Sequence, residues 1–168
     1  LEAEQVSWRG CTEQVQNLSD IWELSGSVED TVQRREVELS AFPKRTVPDL
    51  CEMGIVCNHT GLMPAAAAFH APHARVTELC DIFALQEAGG ILTTTPFIDV
   101  FNCMRRTDEQ SFGGGVFIIV DTEKNDSWEI LREKGISVSE DGKRALLYNP
   151  SHLLGLEAAV SIMSTVWL

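Results

Sequence analysis

Three of the four histidines, His59, His70 and His73, stand close together along the chain, and His70 and His73 flank Pro72. Imidazole can ligate a metal, move a proton or hydrogen-bond a substrate near neutral pH. Metal binding is disfavoured here. Two histidines around a proline do not share a helical face, and no HExxH occurs. Proton transfer or substrate binding fits better, against the plain alternative of loop histidines.

Other polar side chains stand where chemistry is conceivable. Glu157 lies among Leu154, Leu156, Ala158 and Val160, so its carboxylate needs a partner or a raised pKa. His152 precedes it by five residues. Glu52, beside Met53, poses the same question in milder form. Arg105 and Arg106, read as lying between two strands, suit an anionic substrate group, although an exposed turn explains them more simply. Gly113-Gly114-Gly115 precedes an apolar run rather than a helix. That is the wrong order for a dinucleotide cradle and the right one for a turn into a sheet.

The elements that would carry these groups follow from pattern and punctuation. Residues 1–26 read as a lead-in, with a short strand at Val6–Trp8 and a helical turn near Ile21 and Trp22. The remainder, 27–168, reads as one α+β domain. Ser27 caps a helix to about Leu39, with Val28 and Val32 on one face and a solvated charge face. Thr46 opens a second helix that runs to about His59, and Gly61 ends it. A third begins near Arg75 or Thr77 and passes through Leu79, Ile82, Phe83 and Leu85 to Gly89-Gly90. Ile91–Thr95 and Phe97–Phe101 read as strands, and Val116–Val120 as a central strand. A helix through Trp128 to Gly135, a turn at Asp141-Gly142, a strand at Ala145–Tyr148 and an apolar helix from Pro150 complete the chain. The order predicts helices packed on one face of a small, mostly antiparallel or mixed sheet.

Composition narrows the partners. The net charge of −12 repels phosphate backbones, so neither nucleic acid nor an anionic membrane surface is expected. The five cysteines are odd in number and form no CxxC. They read as reduced thiols of a cytoplasmic protein, without a structural metal. No signal peptide is visible, and the most apolar run, Leu153–Leu168, is shorter than the roughly 20 residues a span needs.

Several short motifs occur in a fixed order: Glu52-Met53, Asn58-x-Thr60-Gly61-Leu62-x-Pro64, His70-x-Pro72, Gly89-Gly90-Ile91-Leu92, Gly114-Gly115-Val116-Phe117, and Tyr148-x-Pro150-x-His152-Leu153 with Glu157. The series resembles the homoserine-dehydrogenase-like NAD(P)-dependent oxidoreductases with a C-terminal SAF-type domain, a group that includes deoxyxylulose-phosphate reductoisomerase-like enzymes. The resemblance covers roughly residues 45–165. It implies a middle domain that shapes the substrate pocket and much of a subunit interface, hence a homo-oligomer. NAD(P) would be bound mainly by a separate Rossmann domain. Taken with the residues themselves, it points to His70, His152 and Glu157 as catalytic residues, with Glu52, Asn58, His73 and Arg105 binding a small hydroxy or carbonyl substrate.

The chain departs from that pattern. The family's Asp-Gly-Thr-Lys run reads Arg45-Thr46-Val47-Pro48, without the lysine. The glycines around the family's Met-His-Gly-Pro are replaced, leaving Phe69-His70-Ala71-Pro72. Two expectations therefore stand side by side: the substrate and catalytic domain of an oxidoreductase, or a non-catalytic oligomerisation or partner-binding module derived from it.

Overall fold

The computed structural model describes residues 4–8, 10–42, 50–64, 66, 69–121 and 125–150. The expected helix start at Thr46, the alanine run at 65–68 and the closing helix from Pro150 lie largely or wholly outside them. The class is α+β, with strands distributed over three small sheets.

A hairpin comes first. β1 (Glu4–Trp8) pairs antiparallel with β2 (Cys11–Val15). The helical turn α1 (Leu18–Trp22) follows, with Ile21 buried. Then comes α2 (Val28–Glu38), whose start is as the sequence predicts: the Ser27 hydroxyl accepts a hydrogen bond from the Asp30 N–H at 3.0 Å. A first apolar cluster joins these elements through Val15, Ile21, Leu39 and Phe42.

The expected solvated charge face of α2 is broken at one position. Arg35 is wholly buried. Its five N–H groups donate to the Ile21 carbonyl (2.7 Å), the Trp22 carbonyl (3.0 Å), the His73 carbonyl (3.2 Å) and both oxygens of Glu78 (2.8 and 2.9 Å). Glu78 in turn accepts the Arg75 N–H at 3.0 Å. One guanidinium thus ties α1, α2 and the chain after residue 72 together. Such burial is tolerable because every donor and the charge itself are met.

The helix α3 (Leu50–Thr60) ends at Gly61, whose φ of 73° is the left-handed value its position demands. Beyond it, the expected long helix from residue 75 to 88 is three short pieces: a 3-10 turn at Val76–Glu78, α4 (Leu79–Ile82) and a second 3-10 turn at Gln86–Ala88. The break has a hydrogen-bond cause. The carbonyls of Ile82 and Ala84 accept from the N–H groups of Ile91 and Leu92, both at 3.0 Å, and not from the next helical turn. The chain doubles back so tightly that a Cβ on Gly90 would overlap the Ala84 carbonyl and lie 2.6 Å from its Cα. Gly90→Ala is therefore expected to destabilise the fold by about 3 kcal/mol, the upper range for forced overpacking. Urea denaturation measures it. A loss within the ordinary surface range of about 0.5 kcal/mol would show that this reversal gives way easily.

The strands expected at 91–95 and 97–101 do not form: the chain bends at Ile91 and from Thr93 to Pro96, and only isolated bridges occur, at Leu92 and Ile98. Regular pairing is confined to β3 (His73–Ala74) and β4 (Asn102–Cys103), which run parallel. The three-stranded sheet is antiparallel, in the order β5 (Val116–Asp121), β7 (Arg144–Asn149), β6 (Ser137–Val138). The expected central strand, β5, is therefore at one side, and β7 takes the middle. Between β5 and β6 lies α5 (Asn125–Glu133), followed by Gly135 at φ 87°.

The main core gathers Ala74, Leu79, Cys80, Ile82, Phe83, Leu92, Phe101, Phe112 and Leu146. Its aromatic rings interlock: Phe101 lies 5.1 Å from Phe112 and 5.4 Å, edge-on, from Phe117, which stacks on Phe83 at 5.8 Å. Burial in this core, with Asp81 adding to it, pushes the Cys80 thiol up to about 12. Thiolate is the reactive form. In the folded protein at neutral pH, alkylation should therefore reach Cys11 and Cys57 first and Cys80 only once denaturant is added. Mass spectrometry of labelled peptides reads this. Prompt labelling of Cys80 in buffer would mean that this part of the core opens readily.

Candidate functional site

The candidate site is built where the chain enters β3 and β4. Asp99 stands three residues before Asn102, and His70 three before His73, so the parallel pairing brings the two together. His70 Nδ1 lies 2.6 Å from Asp99 Oδ2. The carboxylate side chain is 1% exposed and the imidazole 29% exposed. A buried acid against a partly open base is the arrangement that general acid–base chemistry uses.

Asp99 is satisfied by more than the ring. It accepts the N–H groups of His70 (3.0 Å), Ala71 (3.3 Å) and Val100 (2.8 Å). These three N–H groups fix the plane of the carboxylate. An acceptor-only carboxylate takes the proton on Nδ1, which leaves Nε2 as the acceptor of the neutral ring. The pair can therefore take a proton at Nε2 and hold the resulting imidazolium against a nearby negative charge.

The turn that carries His70 is strained. Phe69 has φ 57° and Ala71 φ 46°, left-handed values that side chains with a Cβ adopt at a cost of about 1–3 kcal/mol each. Residue 71 is a glycine in the family resembled, and the backbone here keeps a shape natural to glycine. Asn102 grips the same turn: its Nδ2 donates to the Ala71 carbonyl at 2.8 Å and its backbone N–H to the Pro72 carbonyl at 2.8 Å.

The other sequence-predicted site residues are placed as follows. His73 is buried within β3, its carbonyl held by Arg35. Asn58 is exposed near the end of α3, whose first turns carry Glu52, a residue whose side chain is not among those described. Arg105 is exposed, and its Nη1 donates to the carbonyls of Arg106 (3.0 Å) and Glu109 (3.1 Å). His152 and Glu157 lie outside the described residues. Among the described residues, no group of three or more metal-ligating side chains is found.

A hollow of about 150 Å³ opens beyond the other ends of β3 and β4, lined by Arg75, Met104, Arg105, Phe112 and Tyr148 among others. It contains Arg105 but not His70. The dyad sets a partly exposed imidazole against a buried carboxylate, a pairing that the residues of the hollow do not offer.

Asp99 is the residue that sequence reading missed, yet a signal was present. In the alternating run Phe97–Phe101 it shares parity with Phe97 and Phe101, which pack into or against the core. A carboxylate on that side must have a partner.

A comparison with curated proteins gives no match. A family model does match, that of the catalytic domain of oxidoreductase DRL, over residues 28–158, a span that takes in α2, the His70–Asp99 dyad and the three-stranded sheet. By that match the chain belongs to the family of oxidoreductase DRL catalytic domains.

Proposed function

We propose that this oxidoreductase catalytic domain acts on a small hydroxy or carbonyl substrate in an NAD(P)-dependent reaction, with His70 moving the proton at the substrate oxygen. The observation that carries the reading is the 2.6 Å contact between a partly exposed imidazole and a wholly enclosed carboxylate. A nicotinamide cofactor, when bound, supplies the hydride chemistry. The described residues do not fit such a cofactor. The glycines at 113–115 lead into β5 and not into a helix, so they offer no dipole or N–H cradle for a pyrophosphate. We therefore assign the cofactor to a separate domain of the homoserine-dehydrogenase-like arrangement, alongside a SAF-type domain. To this chain we assign the substrate oxygen. As a hydroxyl is oxidised, Nε2 of His70 accepts its proton while Asp99 stabilises the charged ring. In the reverse direction the same atom returns it.

The test is a screen of small hydroxy acids and their keto counterparts with NAD and NADP, followed by nicotinamide absorbance. Turnover with either cofactor that depends on His70 supports the reading. Turnover that His70→Ala leaves untouched ends it. Nicotinamide binding by this chain alone, read by fluorescence quenching, would contradict the assignment of the cofactor elsewhere.

A second reading has one observation in its favour. Val116, Ile118 and Leu147 are large apolar side chains on neighbouring strands, yet 46%, 65% and 46% exposed. Such a face suits an oligomer or partner contact, so a homo-oligomer belongs to this proposal. A monomer by sedimentation that is also inactive in the screen would dispose of both readings. Among the described residues, no helix is long and apolar enough to cross a membrane. We propose a cytoplasmic protein.

A further inference from the structure

We propose that Asn102 is a positioning residue for His70: its amide holds Ala71 in the left-handed conformation that aims the imidazole at Asp99. The inference rests on the proton-transfer role given to His70.

The geometry carries it in three steps. First, residue 71 is gripped on both sides from one short stretch of chain. Its N–H is taken by Asp99 at 3.3 Å and its carbonyl by Asn102 Nδ2 at 2.8 Å. The next carbonyl, of Pro72, is taken by the Asn102 backbone at 2.8 Å. Second, the conformation so gripped is one that alanine does not adopt unaided: φ is 46° at Ala71 and 57° at Phe69, one residue to either side of His70. Strain of this kind persists only where the surroundings over-determine it. Third, packing alone does not account for Asn102. It is 3% exposed, and its Oδ1 is buried without a hydrogen-bond partner among the described residues. An unmet buried acceptor is costly, and an apolar side chain of the same volume would avoid it. What asparagine adds over leucine here is the donor to Ala71. Released from that donor, Ala71 relaxes toward ordinary backbone angles, and the peptide planes on which the ring is mounted turn with it.

The role of the clamp can be separated from general stability by removing the need for it. Glycine has no penalty in left-handed backbone, so Ala71→Gly should make Asn102 dispensable. Two readouts are taken on Asn102→Ala, Ala71→Gly and the double variant. One is the ring Nδ1–H resonance of His70 in nitrogen-edited NMR, which reports the contact with Asp99 whatever the substrate is. The other is kcat and KM for the substrate found by screening. Asn102→Ala is expected to lose the ring resonance and to lower kcat by about 10–100-fold with KM unchanged, the scale of a misplaced catalytic group. The double variant is expected to recover the resonance and most of kcat. The proposal is overturned if the resonance persists in Asn102→Ala, or if the double variant is as impaired as Asn102→Ala alone. Asn102→Leu keeps the volume and removes the donor, and it is read in the same way should the alanine variant not fold. If His70→Ala leaves turnover unchanged, the proton-transfer reading fails, while the ring resonance still decides whether Asn102 positions His70.

Discussion

Glu78→Ala should lower the free energy of unfolding by about 3–5 kcal/mol, the range for removing one partner of a buried ion pair. Two features set the size. Arg35 is fully enclosed, and the two Glu78 oxygens, at 2.8 and 2.9 Å, supply its counter-charge. Alanine leaves the guanidinium buried with three backbone carbonyls and no anion. A guanidinium keeps its charge in proteins, so the cost cannot be escaped by deprotonation. Total stabilities run at about 5–15 kcal/mol, so the loss removes a large share. For a chain of this length it corresponds to a fall in Tm of about 10 °C. Urea denaturation of the two proteins measures the difference. The double replacement Arg35→Met with Glu78→Leu should be milder than Glu78→Ala, because it removes the stranded charge as well as the bridge. A single variant that costs under about 1 kcal/mol would mean that water reaches the guanidinium.

His70→Ala should lower turnover by about 10²–10⁴-fold, the usual contribution of a positioned acid–base group, and leave Tm within a few degrees. The small effect on folding follows from Asp99. Without the ring it still accepts the N–H groups of residues 70, 71 and 100. Asp99→Ala should behave differently. It strips those three N–H groups of their acceptor, at about 1–3 kcal/mol for each that stays buried, and it removes the counter-charge from the ring, so folding and activity fall together. Parallel measurement of Tm and turnover in the two variants separates the roles. If His70→Ala unfolded the protein as severely as Asp99→Ala, the imidazole would be a structural residue.

The parts of this fold that could be read from sequence are those that local chemistry decides. Ser27 at a helix start, Gly61 and Gly135 at helix ends, Asp141-Gly142 at a turn and the apolar run of β5 need no knowledge of distant chain. What escaped is decided at long range. Asp99 meets its partner 29 residues away, and Arg35 meets Glu78 across 43. Neither distance leaves a periodic trace. Both residues did carry a weaker sign, since each shares a face with apolar neighbours: Arg35 with Val28 and Val32 on the helix, Asp99 with Phe97 and Phe101 in the extended chain. A charge on the inward face is a request for a partner, and reading α2 as solvated overlooked it. The broken helix after residue 75 failed for a related reason. The residues between Leu79 and Leu85 favour helix locally, but the returning chain at Ile91 and Leu92 takes the carbonyls that a continued helix would need.

The parallel pairing of β3 and β4 amounts to two residues on each side. Because His70 and Asp99 ride on the leading ends of those strands, their separation measures how one strand sits along the other. A slip of one residue shifts the ring along the strand by about 3.3 Å from its present 2.6 Å contact, which breaks the hydrogen bond. A lengthwise push on either strand would act on this ladder as on a slide bolt. The imidazole meets the carboxylate in one register and misses it in the next.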